Sequence, residues 1–240
     1  MNTNAPRPNF SIVAQPTEST CGPTCLYAVY RHLGDNSSLE EVIDTIPENP
    51  DGGTYSVILA NHALQRGYKA TIYSYNLRVF DPTWRQLSRE DLKEKLRQRL
   101  SQLTSKRGRA NLSAYIAFLE LGGTVRQDEL TTDLLQSLLL QNHPIIAGLN
   151  STHLYRNARV KRSGKDDDVH GEVEGHFVTL FGYNADSREV HVADPYRKNP
   201  LSDTHLYSVD VQRLINAIML GIVTYDANLL VIEAPTPTKS

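Results

Sequence analysis

Apolar residues first recur at helical spacing after Cys21, at Leu26, Val29, Tyr30 and Leu33. Pro23 is tolerated only in a first turn and Gly34 suits a C-terminal cap, so a helix is expected to open at or just before Cys21. A second, short helix is expected near Leu39 to Ile46, before Pro47 and Pro50 break the pattern. The turn Asp51-Gly-Gly-Thr-Tyr introduces a third, whose stripe is Val57, Ile58, Leu59, Ala60 and Leu64 and which Gly67 ends. Tyr68 to Tyr75 is β-branched and aromatic, hence a strand. Ser88 to Leu121 carries two helices, the first strongly charged and solvent-facing, the second more apolar through Leu112, Tyr115, Ile116 and Leu119. This pair has the character of an insertion over the core fold.

The second half changes period. Pro144-Ile-Ile-Ala-Gly-Leu reads as a buried strand, followed by a polar loop from Asn150 to Gly175 that holds Lys161, Arg162, Lys165 and three consecutive aspartates. Such a loop is expected to be a mobile, solvated charge run, with a lid over substrate as the alternative. Gly175 to Tyr183 reads as a strand, and Arg188 to Tyr196 as its hairpin partner across the turn Asn184-Ala-Asp-Ser. An amphipathic helix from Arg213 and a closing strand from Asn228 to Glu233 complete the chain. The organisation is one α+β domain over residues 1–240, with a helical part at about 15–140, the insertion at 88–121 and a sheet part at about 144–234. No repeat or low-complexity segment interrupts it.

Composition narrows the classes. The 240 residues are 40% hydrophobic, enough for a substantial core, and the net charge of −2 gives no electrostatic reason to expect nucleic acid or an anionic membrane as partner. Met1 to Asn9 is polar with two prolines and lacks the apolar core of a signal peptide, and no stretch approaches a membrane-spanning length. The two cysteines lie four residues apart on one helix and make no disulfide framework. The expected location is the cytoplasm.

Chemistry concentrates in Gln15-Pro-Thr-Glu-Ser-Thr-Cys21-Gly-Pro-Thr-Cys25. Thiolate is the nucleophilic form of cysteine, and the unpaired N–H groups and macrodipole of a helix N-terminus favour it. The Gln15 carboxamide and the Cys21 backbone N–H could together hold the oxyanion formed when a carbonyl is attacked. Free cysteine more often behaves as a small buried hydrophobe, and Cys25, a turn later and in line with Val29, fits that description. His176 begins one strand of the predicted hairpin and Asp194 ends the other, so the two should be neighbours. Pro195 stops the second strand and holds Asp194 at its rim. A carboxylate beside a histidine fixes its tautomer and stabilises the imidazolium, so Cys21, His176 and Asp194 compose a nucleophile, base and orienter. Among the eight histidines, His32, His62, His143 and His191 lack so short a route to a strand-end acid. His170, Glu172, Glu174 and His176 alternate in metal-ligand fashion, but a flexible loop carries such alternation for solubility too, and neither metal nor cofactor is expected.

The order QPTESTCGPTC, GHFVTLFGYN and VHVADPY, with GGTYSVILANHALQRGYKA between, resembles the papain-like cysteine peptidases of the bacteriocin-processing branch, which cut leaders after a double glycine. The resemblance runs from about Gln15 to Tyr196. It implies a papain-like α+β fold, with a helical half bearing Cys21 packed on an antiparallel sheet bearing His176 and Asp194. It also implies Cys21 as nucleophile, His176 as general base, Asp194 as its orienter and Gln15 as oxyanion donor. Domains of that branch usually precede membrane spans and an ATP-binding cassette, which this chain lacks, so the expectation is a free-standing cysteine peptidase or amidohydrolase. Its partner would be a peptide or protein, and the bond cut a peptide or isopeptide-like amide through a Cys21 thioester. A thiol acyltransferase using the same site and a non-catalytic peptide-binding module are the alternatives; substrate identity and oligomeric state stay open.

Overall fold

The computed structural model describes residues 9–49, 52–224 and 226–235. Helices α1 (Cys21–His32), α2 (Leu39–Thr45) and α3 (Ser56–Gln65) lead into strand β1 (Lys69–Ser74). Next come α4 (Arg89–Gln102), α5 (Lys106–Glu120), β2 (Thr124–Arg126), α6 (Thr132–Leu140), β3 (Ile145–Asn150) and the single-turn α7 (Ser151–Tyr155). The chain closes with β4 (Gly175–Asn184), β5 (Glu189–Ala193), β6 (Leu206–Asp210), α8 (Val211–Leu220) and β7 (Asn228–Glu233). The elements expected from periodicity are present within a few residues. The helix starts follow capping chemistry: Ser38 and Glu41 form a reciprocal capping box on α2, and Ser88, Ser105 and Thr131 cap α4, α5 and α6. Four elements, β2, α6, α7 and β6, go beyond the expected set. The expectations resting on Met1 to Pro8, Pro50 and Asp51 lie outside the described residues.

The seven strands form one mixed sheet in the order β2-β1-β7-β3-β4-β5-β6, antiparallel throughout except for the parallel pair β1 and β2. The sheet is α+β in organisation and extends into the helical half, because β7, from the end of the chain, pairs with β1 on one side and β3 on the other. Helices cover both faces, so the strands are buried on both sides and read as continuous apolar runs. One face packs Phe177, Phe181, Ile146, Leu230 and Ile232 against α1, α3 and α5. The other packs Val178, Leu180, Leu149, Leu229 and Val231 against α6, α7 and α8. The pair α4 and α5 does not merely lie over the core, since Leu96, Leu112 and Phe118 are fully buried in it.

The polar loop also differs from expectation. It begins with α7, and Val160 then makes backbone bridges to both Asp166 and Glu172. Asp167 gathers Lys161 at 2.5 Å and the backbone N–H groups of Val169 and His170, so part of the loop's charge is spent on its own turns. Arg159 donates to the Asp168 carbonyl.

Candidate active site

Cys21 is the first residue of α1, and its side chain sits at the positive end of that helix. The preceding turn is tied by Thr17, whose carbonyl accepts from the Thr20 hydroxyl at 3.0 Å and from Gln15 Nε2 at 2.8 Å. Gly22 lets the helix start approach the sheet, since a Cβ there would stand 2.8 Å from Thr54 Cγ2 and 3.2 Å from Phe177 Cδ2. One turn further, Cys25 is fully buried and donates from Sγ to the Phe177 carbonyl at 3.4 Å. Burial pushes the Cys25 thiol well above its ordinary range, which makes it inert as a nucleophile at neutral pH. The same contact pins α1 along the start of β4, one residue from His176.

His176 stands on β4 and Asp194 follows β5. The register pairs Thr179 with Ala193, so Asp194 falls opposite Val178, on whose face of the strand His176 also lies. The two side chains meet with His176 Nε2 2.8 Å from Asp194 Oδ1, which leaves Nδ1 as the nitrogen free to serve Cys21. The imidazole is walled by Tyr155 and Tyr196, whose ring centroids lie 6.3 and 6.0 Å away.

Asp194 is completely buried, a position costly for a carboxylate unless every oxygen is bonded. Oδ1 takes His176 and the Tyr196 backbone N–H at 3.0 Å, while Oδ2 accepts from the hydroxyls of Tyr155 at 2.7 Å and Tyr207 at 2.9 Å. His205 holds the backbone, bonding the Asp194 carbonyl through Nδ1 at 2.9 Å and accepting the Asp194 N–H at 2.9 Å. Burial alone would raise this carboxyl, but the His176 charge and these donors hold it below the usual carboxylate range. Burial would likewise lower His176, yet the Asp194 charge and hydrogen bond, joined by Cys21, raise the imidazolium to about 10. The pair is therefore charged across the neutral range.

Gln15 is buried, and its backbone is anchored to the same corner: its N–H donates to the Pro195 carbonyl at 2.8 Å and its carbonyl accepts Arg197 Nε at 3.0 Å. With one amide hydrogen spent on Thr17, Nε2 keeps a second for another acceptor. The fold thus gathers Gln15, Cys21, His176 and Asp194, while the alternating four disperse, since His170 turns to Asp167 at 3.4 Å and His176 to Asp194. No group of three metal-ligating side chains converges among the described residues.

A cavity of about 380 Å³ opens beside Cys21 and His176, lined also by Thr54, Tyr55, Arg107, Thr224 and Asp226. A smaller one of about 140 Å³ lies on the other side of His176, against Gln15, Glu18, Asp166, Glu174 and Tyr196. Sequence reasoning did not single out Tyr155, Tyr207, His205 or Asp226. Each is joined to the site only by contacts between segments distant in the chain, and a lone tyrosine or a loop aspartate carries no periodic signal.

A family profile described as guanylylate cyclase matches residues 10–218, and the chain belongs to that family. This is a different family from the peptidase branch that the motifs resemble. Curated proteins include no match to the chain. Among solved structures, a C39-like peptidase from Bacillus anthracis is similar at 13% identity, with 93% of this chain and 94% of that one covered and a TM-score of 0.49. The peptidase domain of Streptococcus ComA, a bi-functional ABC transporter, is similar at 13% identity over 95% of this chain and 100% of that one, with a TM-score of 0.47. Xylellain, a cysteine protease from Xylella fastidiosa, is similar at 13% identity over 95% and 84% of the two chains, with a TM-score of 0.41.

Proposed function

We propose that the chain is a papain-like thiol hydrolase acting on a peptide or isopeptide-like amide. The observation that carries this reading is the buried, fully hydrogen-bonded Asp194 holding His176 by Nε2 beside a cysteine at a helix N-terminus. An imidazolium and a helix dipole at the sulfur both stabilise negative charge on it. The Cys21 proton is held on His176 as the imidazolium, and the thiolate sulfur bonds to the carbonyl carbon. The resulting oxyanion is held by the Cys21 backbone N–H and the spare N–H of Gln15. Collapse breaks the C–N bond, His176 hands its proton to the departing amine, and a thioester remains on Cys21. Water then attacks that carbonyl while His176 takes its proton; the C–S bond breaks, the acid leaves and the thiolate–imidazolium pair is restored. Asp194 keeps the ring oriented and its charge balanced throughout.

Iodoacetamide labelling of the folded protein, mapped by mass spectrometry, tests the nucleophile. Cys21 is expected to react preferentially and His176→Ala to slow that reaction, whereas an inert Cys21 beside a labelled Cys25 would overturn the reading. The family's description favours a second reading, cyclisation of a guanine nucleotide. Cyclic product formed from GTP equally by the wild type and Cys21→Ala would establish it and remove the thiol from the chain's activity.

A further inference from the structure

Asp226 is a buried carboxyl that the proposed reaction does not use, and it lines the larger cavity together with Cys21 and His176. The sheet makes room for it at two glycines. A Cβ on Gly175 would collide with Asp226 Oδ2 and stand 2.7 Å from Thr224 Oγ1, and one on Gly148 would stand 3.0 Å from Asp226 Cβ. Gly175 directly precedes His176, so the carboxyl is set one residue from the proposed base.

Its protein partners are few. Oδ2 accepts the Thr224 hydroxyl at 2.6 Å, and the backbone N–H goes to the Gly221 carbonyl at 2.9 Å. No lysine or arginine of the described residues pairs with it. Arg107, the cation on the same cavity, donates to the Thr224 carbonyl at 3.0 Å and lies over the Tyr55 ring, at the exposed rim. Buried carboxylates are ordinarily paired, because desolvation costs more than one neutral hydrogen bond returns. Among the described residues the Asp226 carboxyl has only that one neutral donor, and its other oxygen is open to a charged or N–H partner.

We propose that Asp226 is the recognition carboxyl of a subsite for a cationic substrate residue, a lysine- or arginine-like side chain next to the scissile bond. The proposal rests on the thiol-hydrolase reading and names the substrate class of that site. A cation entering the cavity supplies a direct ion-pair partner, where the fold offers Asp226 only the more distant charges of Arg107 and His176, in a water-poor setting where an ammonium–carboxylate contact is strong. Further carboxylates stand nearby. Glu18 lines both cavities, Asp166 and Glu174 join it across His176, and among the described residues no basic side chain forms an ion pair with any of the three.

The test uses peptidyl electrophiles that differ only in the residue next to the warhead, lysine, norleucine, glutamine or glutamate, with the rate of Cys21 modification read by mass spectrometry. Wild type is expected to react about tenfold or more faster with the lysine probe than with norleucine, the ratio expected of a charged hydrogen bond. Asp226→Asn keeps the shape and an acceptor for Thr224 but loses the charge, and should bring that ratio close to one. A ratio that survives in Asp226→Asn, or faster reaction with glutamate through Arg107, overturns the subsite while leaving the nucleophile standing. If no probe modifies Cys21 and iodoacetamide also fails, the hydrolase reading falls first, and the subsite with it. Thermal melting of Asp226→Asn separates loss of recognition from loss of fold.

Discussion

Asp226→Asn should stabilise the fold above neutrality and change it little in acid. Burial lifts the Asp226 carboxyl from the ordinary 3.8 to about 7, against the opposing pull of the Thr224 hydroxyl, the Arg107 charge and the His176 charge. A folded-state value above the unfolded one means that the stability this group contributes is complete below 3.8 and is lost as the pH rises through about 7. Converted at about 1.4 kcal/mol per pH unit, the ionised carboxyl costs the folded state roughly 2–4 kcal/mol in mild alkali. Asparagine carries no such penalty, and its Oδ1 can still accept the Thr224 hydroxyl. His176 is also raised, by Asp194 and Cys21 against its burial, and its contribution likewise fades with rising pH. Apart from its coupling to Asp226, that fading is common to both proteins and cancels in their difference. Urea unfolding of wild type and Asp226→Asn between about pH 3.5 and about pH 8.5 measures that difference. It should be near zero at the acid end, grow through neutrality and level off above it. A difference that does not vary with pH, or a wild type more stable than the variant in alkali, would refute the placement of an unpaired carboxyl in this cavity.

Removing the Cys25 sulfur with Cys25→Ala should cost about 1–2 kcal/mol through a small core cavity, while leaving the rate of Cys21 labelling unchanged. Tyr155→Phe removes one of the two hydroxyls on Asp194 Oδ2 and should cost about 1.5–3 kcal/mol at neutral pH. The lowered Asp194 carboxyl contributes stability that is present above the ordinary carboxylate range and lost as pH falls through its folded value. The Tyr155→Phe deficit should therefore shrink in acid, and urea unfolding at the two ends of the range checks it.

Trading stability for an unpaired carboxyl at a cleft is what a recognition site requires, since a partner already present would have to be displaced by substrate. The contrast with Asp194 is instructive. That carboxylate is equally buried but accepts four hydrogen bonds, from His176, Tyr155, Tyr207 and the Tyr196 backbone. One environment fixes a charge permanently and the other leaves it to be supplied.

Local order was written in the chain. Apolar spacing after Cys21, the proline in the first turn and the serine and threonine caps specify helices whatever they later pack against. Continuous apolar, β-branched and aromatic runs likewise specify β1, β3, β4 and β7 as strands. The short turn after Asn184 brings the ends of one hairpin together without help from elsewhere, which is why His176 and Asp194 were legible as neighbours before any coordinates. Cys25 was legible as core for the same local reason, being one turn from Cys21 on the buried stripe.

Partner choice between distant elements belonged to the tertiary structure. Periodicity marks which face of a strand is buried but not which strand lies beside it, so nothing in the sequence places β7 between β1 and β3 or carries β1 into the sheet. That placement delivers Asp226 to Gly175, and the pairing of β5 with β6 delivers Tyr207 and His205 to Asp194. The hairpin and the cysteine helix were determined locally, by turns and caps. The buried surroundings that set the charge of His176, Asp194 and Asp226 arose only when apolar faces far apart in the chain closed on one another and excluded water.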